Sequence, residues 1–165
     1  MGNFSLKFDK FWETFIKYNG YVKVLEGLKN TLTIAVLGLI IGIVIGTLIA
    51  TARVIPQYKV LPRILNKICS FYVALFRGTP IVVQLLVFYY VLLPLMGSRM
   101  TGIQVAVMVF GLNSAAYISE IMRGGIMSVD SGQMEAGRAV GLSFGTTMLK
   151  IVIPQAVKNI LPTMG

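Results

Sequence analysis

The sequence predicts an all-α protein, a polytopic bundle of helices that crosses a membrane three times and begins a fourth crossing. Three observations carry that expectation. Hydrophobic residues make up 56% of the chain and charged residues only 13%, with a mean hydropathy of +0.79. The apolar residues are gathered into long runs, of which Thr31 to Ala52 holds no charged side chain; at ~1.5 Å per residue such a run crosses a ~30 Å hydrocarbon layer. Two more apolar stretches follow, and in lipid a helix is the economical solution because it satisfies its own backbone hydrogen bonds.

Taken in order, residues 1–29 form an N-terminal segment with five lysines, three acids and a row of aromatics: Phe4, Phe8, Phe11, Trp12, Phe15, Tyr18 and Tyr21. Helical spacing among Phe8, Phe11, Trp12 and Phe15 predicts an interfacial amphipathic helix. Residues 30–165 form the transmembrane domain, with spans expected at about 30–52, 69–95 and 102–121. Gly38, Gly42 and Gly46 recur at every fourth position of the first span, a small-residue face that admits another helix closely, from this chain or a second copy. The second span is interrupted by Arg77-Gly78-Thr79-Pro80, and Pro80 suits the first turn of a new helix. A turn at Gly97-Ser98-Arg99 leads to the third.

Arg53, Lys59, Arg63, Lys67 and Arg77 follow the first span with no acid among them. Such a cluster marks a cytoplasmic loop, which puts the N-terminus outside and everything after Gly124 inside. The same residues, interleaved with Leu and Ile, suit an anionic lipid surface. This distribution, more than the net charge of +9, argues against a nucleic-acid partner. One cysteine, Cys69, leaves no pair for an internal disulfide, and without histidine the commonest transition-metal ligand is missing. No metal or cofactor is expected. The first apolar run starts late and is too long for a secretory leader.

Residues 124–154 form a polar loop read as two short helices. Asp130 and Gln133 have capping-box spacing, Glu135 falls early in the helix they open, and Gly141 suits its C′ position. Ser143 caps a second helix expected to run to about Ile151 before Pro154 disrupts it. Ala136, Gly137 and Ala139 are expected to keep one surface small and flat between Glu135 and Arg138, as docking into a groove requires.

The stretch Glu135-Ala136-Gly137-Arg138-Ala139-Val140-Gly141, nine residues, then Ile151-Val152-Ile153-Pro154 resembles the EAA loop of ATP-binding-cassette (ABC) importer permeases. Arg77-Gly78-Thr79-Pro80 with Gln84, Ala115 to Ile126 with its Tyr117, Glu120, Arg123, Gly124 and Gly125, Gly132 to Ala136, and Pro154-Gln155-Ala156 resemble the polar amino-acid branch, of histidine/glutamine/glutamate/arginine type. Gly137 stands where that family more often has Ala, and Ile153 where it has Leu. The resemblance implies a type I importer permease fold and an amino-acid-importing membrane subunit. Its implied partners are a separate ATPase, a second identical or homologous permease copy, and an extracytoplasmic solute-binding protein. ATPase coupling falls to Glu135, Ala136, Gly137, Arg138, Gly141, Ile151 and Pro154. The family continues beyond a fourth span, so a chain stopping at Gly165 is expected to be truncated or a fragment.

Asn113, Tyr117 and Glu120 form a polar stripe on the third span. Polar groups in lipid are costly, so the stripe faces protein or a water-filled path. Asn113, Tyr117 and Gln84 are candidates for lining a translocation path, with interhelical hydrogen bonding as the alternative. Arg77, Glu120 and Arg123 are expected in structural roles, the last two as an i,i+3 ion pair. No Gly-x-x-x-x-Gly-Lys-Ser/Thr phosphate loop occurs, so ATP hydrolysis is expected on another polypeptide and the chain itself is not expected to be an enzyme. Two other readings stay open: a membrane scaffold that binds the ATPase without transporting, and an ion-coupled secondary transporter.

Overall fold

The computed structural model describes residues 2–17, 19–55 and 60–164. Tyr18, Lys59 and the side chains of Phe4 and Pro162 lie outside the described set. Helix α1 (Gly2–Trp12) runs into a π-helical turn at Glu13–Lys17. Its aromatics stack in pairs, Phe8 on Trp12 and Phe11 on Phe15, and remain largely open to the surroundings. Helix α2 (Gly20–Val54) is 35 residues long and starts ten residues before the predicted span. Nothing between Gly20 and Asn30 stops a helix, so it begins at the αL residue Asn19.

Helix α3 (Val60–Gly78) and helix α4 (Ile81–Val87, continued by a π turn at Phe88–Leu92 and a last turn at Leu93–Leu95) meet at an angle of 107°. The expected second span is thus two helices joined at Gly78–Pro80. Helix α5 (Gly102–Met127) opens with a full capping box, Thr101 and Gln104 exchanging bonds. Helix α6 (Ser131–Ala139), helix α7 (Phe144–Thr147), a π turn at Met148–Val152 and helix α8 (Ile153–Met164) complete the described residues. Among the described residues, α2 and α5 are long and apolar enough to cross a membrane, and the bent α3–α4 pair makes a third candidate.

Helices α2 and α5 form the main packing pair. Gly38, Gly42, Gly46 and Ala50 are the buried residues of α2. A methyl added at Gly42 would lie 2.6 Å from Ser114 Cβ, and one at Gly46 would lie 2.9 Å from Ile118 Cβ. The small-residue face is therefore consumed within the chain, by α5. Away from that seam α2 exposes Leu32, Val36, Leu39, Ile40, Ile43, Val44 and Leu48, a lipid-type exterior for an apolar helix. Helix α8 closes back on α5, where Ile118, Met122, Ile126, Met148, Val152, Ala156 and Ile160 share one cluster with Ala50.

The expected helix end before Pro154 does not occur. Pro154 lacks the N–H that would bond the carbonyl four residues back, and its ring crowds that carbonyl. The chain widens one turn first, with Ile153 N–H bonding Met148 O, five residues earlier, so the helix passes through the proline.

Candidate functional site

At the α3–α4 joint, the C-terminal end of α3 has carbonyls with no partner in the next turn. Thr79 Oγ1 donates to Leu75 O at 2.8 Å. Gln84 Nε2 lies 2.8 Å from Phe76 O, 3.0 Å from Thr79 O and 2.9 Å from Thr79 Oγ1. Asn113, from α5, donates to Gln84 Oε1 at 3.1 Å and to Phe76 O at 3.3 Å. Tyr72 donates to Leu112 O at 2.6 Å. Gln84 is only 7% exposed, and both ends of its amide are engaged inside the chain. The joint is fixed by polar side chains from three directions.

Beside the joint lies an open recess of about 460 Å³ lined by Arg77, Gly78, Thr79, Pro80, Ile81, Asn113 and Tyr117. Tyr117 is 47% exposed, and the Arg77 guanidinium sits 5.4 Å from its ring centroid, a cation–π distance. The recess therefore offers a cation, an aromatic face, a hydroxyl and an amide.

Glu120, one turn beyond Tyr117, is surrounded by arginines from three helices. Arg53 at the end of α2 hydrogen-bonds its Oε1. Arg123 Nη2 donates to Oε2 at 3.2 Å, and Arg77 Nη1 stands 3.8 Å from the same oxygen. Arg53 was absent from the sequence-derived site residues; its side chain is 13% exposed. Register could have found it, because Arg53 follows Ala50 by three positions on the buried Gly38–Gly42–Gly46–Ala50 face.

The loop after α5 builds a second surface. Asp130 caps α6 by accepting from Gly132 N–H at 2.7 Å. The reciprocal half of the expected capping box is missing, since Gln133 Oε1 instead accepts from Gln155 at 3.1 Å. At the other end Gly141, at φ +86°, takes the C′ position. Leu142 N–H bonds Gly137 O at 3.1 Å and Gly141 N–H bonds Arg138 O at 3.0 Å, the Schellman pattern. Ser143 then caps α7, accepting from Thr146 N–H at 3.2 Å.

Glu135, Ala136, Arg138 and Ala139 are exposed on α6, as are Gly141 in the turn and Pro154 on α8. Ile151 is half-buried. Gly137 faces the opposite way from the expected flat surface. It is buried, and a methyl there would lie 2.4 Å from Thr147 Cγ2. Its smallness serves the packing of α6 on α7. The Glu120–Arg123 pair lies on α5, the helix that leads into this loop.

Residues 38–165 match the model of the binding-protein-dependent transport system inner membrane component. The arginine transport system permease protein ArtQ of Bacillus subtilis is 41% identical over 141 residues, covering 86% of this chain and 62% of ArtQ. The putative glutamine transport system permease protein GlnP of Rickettsia bellii is 38% identical over 154 residues, covering 93% of this chain and 68% of GlnP. The chain thus spans somewhat under or about two thirds of these relatives. A crystal structure described as an amino acid ABC transporter with histidines superposes with a TM-score of 0.70 at 35% identity, over 91% of this chain and 68% of that one. The helical fold, the apolar spans and these matches agree: the chain is a membrane protein and belongs to the family of binding-protein-dependent transport system inner membrane components.

Proposed function

We propose that this chain is the permease part of an ATP-driven amino-acid importer, with the recess at Arg77 on the solute's path and the exposed face of α6 as the seat of a separate ATPase. One observation supports this best: α5 carries Asn113 and Tyr117 of the recess and leads directly into the loop that presents Glu135, Ala136, Arg138 and Ala139. A movement of α6 is thereby transmitted along one packed helix to the recess. Arg77 and the Tyr117 hydroxyl suit the carboxylate end of an amino acid, since Thr79 and Asn113 already give their hydrogens to Leu75, Gln84 and Phe76. Thr79 and Asn113 shape the wall, and Gln84 frames the recess without entering it. Named substrates of the relatives, arginine and glutamine, share that end. Half-buried Ile151 and exposed Pro154 follow the docking face in the chain, Gly141 fixes its turn, and Gly137 seats it on α7. A second permease copy and an extracytoplasmic binding protein complete the assembly.

With the 53–77 segment and the loop after Gly124 on the cytoplasmic side, the N-terminus lies outside. The docked loop couples nucleotide state to access only if its contacts differ between the two states. The test is Glu135→Lys in the permease co-expressed with its ATPase. Insertion in the membrane is expected to be intact, while uptake and solute-stimulated ATP hydrolysis are lost together. Retention of both would overturn the docking assignment.

A further inference from the structure

Three guanidiniums converge on one carboxylate at the end of the membrane helices, and the three are not equivalent. Arg53 and Arg123 hydrogen-bond the two oxygens of Glu120. Their side chains are 13% and 35% exposed, and the Nε atom of each is buried with no hydrogen-bond partner. Arg77 stands at 3.8 Å, outside hydrogen-bonding distance, and is the most exposed of the three at 44%. Its guanidinium is shared between Glu120, the Tyr117 ring and the recess. Three cations against one anion leave the cluster short of negative charge, and burying an unpaired charge is costly.

We infer that Glu120 is a positioning residue for Arg77: it orients the guanidinium over the recess without neutralising it, because Arg53 and Arg123 already occupy its oxygens. This rests on the reading of the recess as a carboxylate site. Arg123 then sets how available Arg77 is. With Arg123 gone, Oε2 of Glu120 is free to draw Arg77 into a close pair and away from the recess. A carboxylate in the recess and Glu120 compete for the same guanidinium, so occupancy loosens a tie between α3 and α5 and closeness of that tie opposes occupancy.

The test uses the assembled permease–ATPase complex in nanodiscs, with equilibrium binding of L-arginine and L-glutamine compared with their α-amides, which lack the carboxylate charge. In the unaltered complex the acids are expected to bind about tenfold tighter than the amides, the size of one charge-assisted hydrogen bond. In Arg123→Gln the acids weaken about five- to tenfold while the amides are unchanged, and Arg123→Lys restores most of the preference. Equal weakening of acids and amides, or an unaltered preference, overturns the positioning role. If Arg123→Gln does not assemble, Glu120→Asp keeps every charge and withdraws the carboxylate by one methylene; an acid preference shifted in either direction with amide binding unchanged supports the inference, and an unchanged preference overturns it. An unaltered complex that binds acids and amides alike refutes the carboxylate reading itself, and the inference with it.

Discussion

Pro80 and Pro154 each fall within helical sequence, and the chain answers them differently. At Pro80 the helix breaks and turns through 107°. At Pro154 it continues, after one widened turn in which Ile153 bonds Met148 O. The widened turn at Phe88–Leu92 does the same before Pro94, with Leu93 N–H bonding Phe88 O. The difference lies in the neighbours. Around Pro80, Gly78 offers little resistance to bending, and Thr79, Gln84 and Asn113 take up the carbonyls that a break exposes. Around Pro154 the buried neighbours Met148, Val152 and Ala156 are apolar, so the backbone must satisfy itself. A proline sets the need, and nearby polar side chains decide whether the helix breaks or widens.

Removing the side-chain solution should have the largest effect. Gln84→Leu takes the side-chain donor from Thr79 O and the acceptor from Asn113, leaving Phe76 O to Asn113 alone, a loss of about 1–3 kcal/mol at the cost of roughly one buried unsatisfied group. Thermal unfolding of the purified protein in detergent measures it; a change within noise would mean that packing alone holds the joint. Next comes the turn region before Pro154. Gly137→Ala forces a methyl against Thr147 and should cost about 1–3 kcal/mol, most of it recovered in the double variant with Thr147→Ala. Gly141→Ala places a side chain at φ +86° and should cost about 1–2 kcal/mol, with Gly141→Asn milder because Asn tolerates that region better.

The smallest effects are expected at the prolines themselves. Pro154→Ala should change stability by less than about 1 kcal/mol, because the widened turn already relieves the proline and alanine only restores a donor. Pro80→Ala should keep the bend, since its ties run through Gln84, Thr79 and Asn113. Spin labels at the exposed positions Ile68 and Leu95 report the α3–α4 geometry directly. A distance lengthened towards a straight helix would show that the proline, and not the polar side chains, makes the joint.

What was legible in the sequence was local or periodic. The Gly38–Gly42–Gly46 face announced a helix contact, and spacing alone placed Gly141 at C′ and Ser143 at an N-cap. Asp130 was readable as a cap for the same reason, its bond reaching only to Gly132. Gln133 was misread because its actual partner, Gln155, is 22 residues away. The Arg53–Glu120 bond spans 67 residues, and no short window contains both. Arg53 looked like one more topological charge until α2 and α5 were packed together. Gly137 was assigned to the outer surface because sequence shows that a residue is small but not which neighbour needs it small. The passage through Pro154 was hidden for another reason: a proline reads as a stop, and a π turn has no composition of its own.

The contact between Gly137 and Thr147 also bears on how such loops can be exchanged between permeases. A permease with alanine at the position of Gly137 would need room for a methyl that Thr147 fills in this chain. Gly137 and Thr147 share one volume across the Gly141 turn. A graft that cuts between Gly141 and Ser143 would import one half of that contact without the other. The unit to exchange therefore runs at least from Asp130 through Thr147, and a chimaera cut inside it tests this packing together with whatever surface it was made to present.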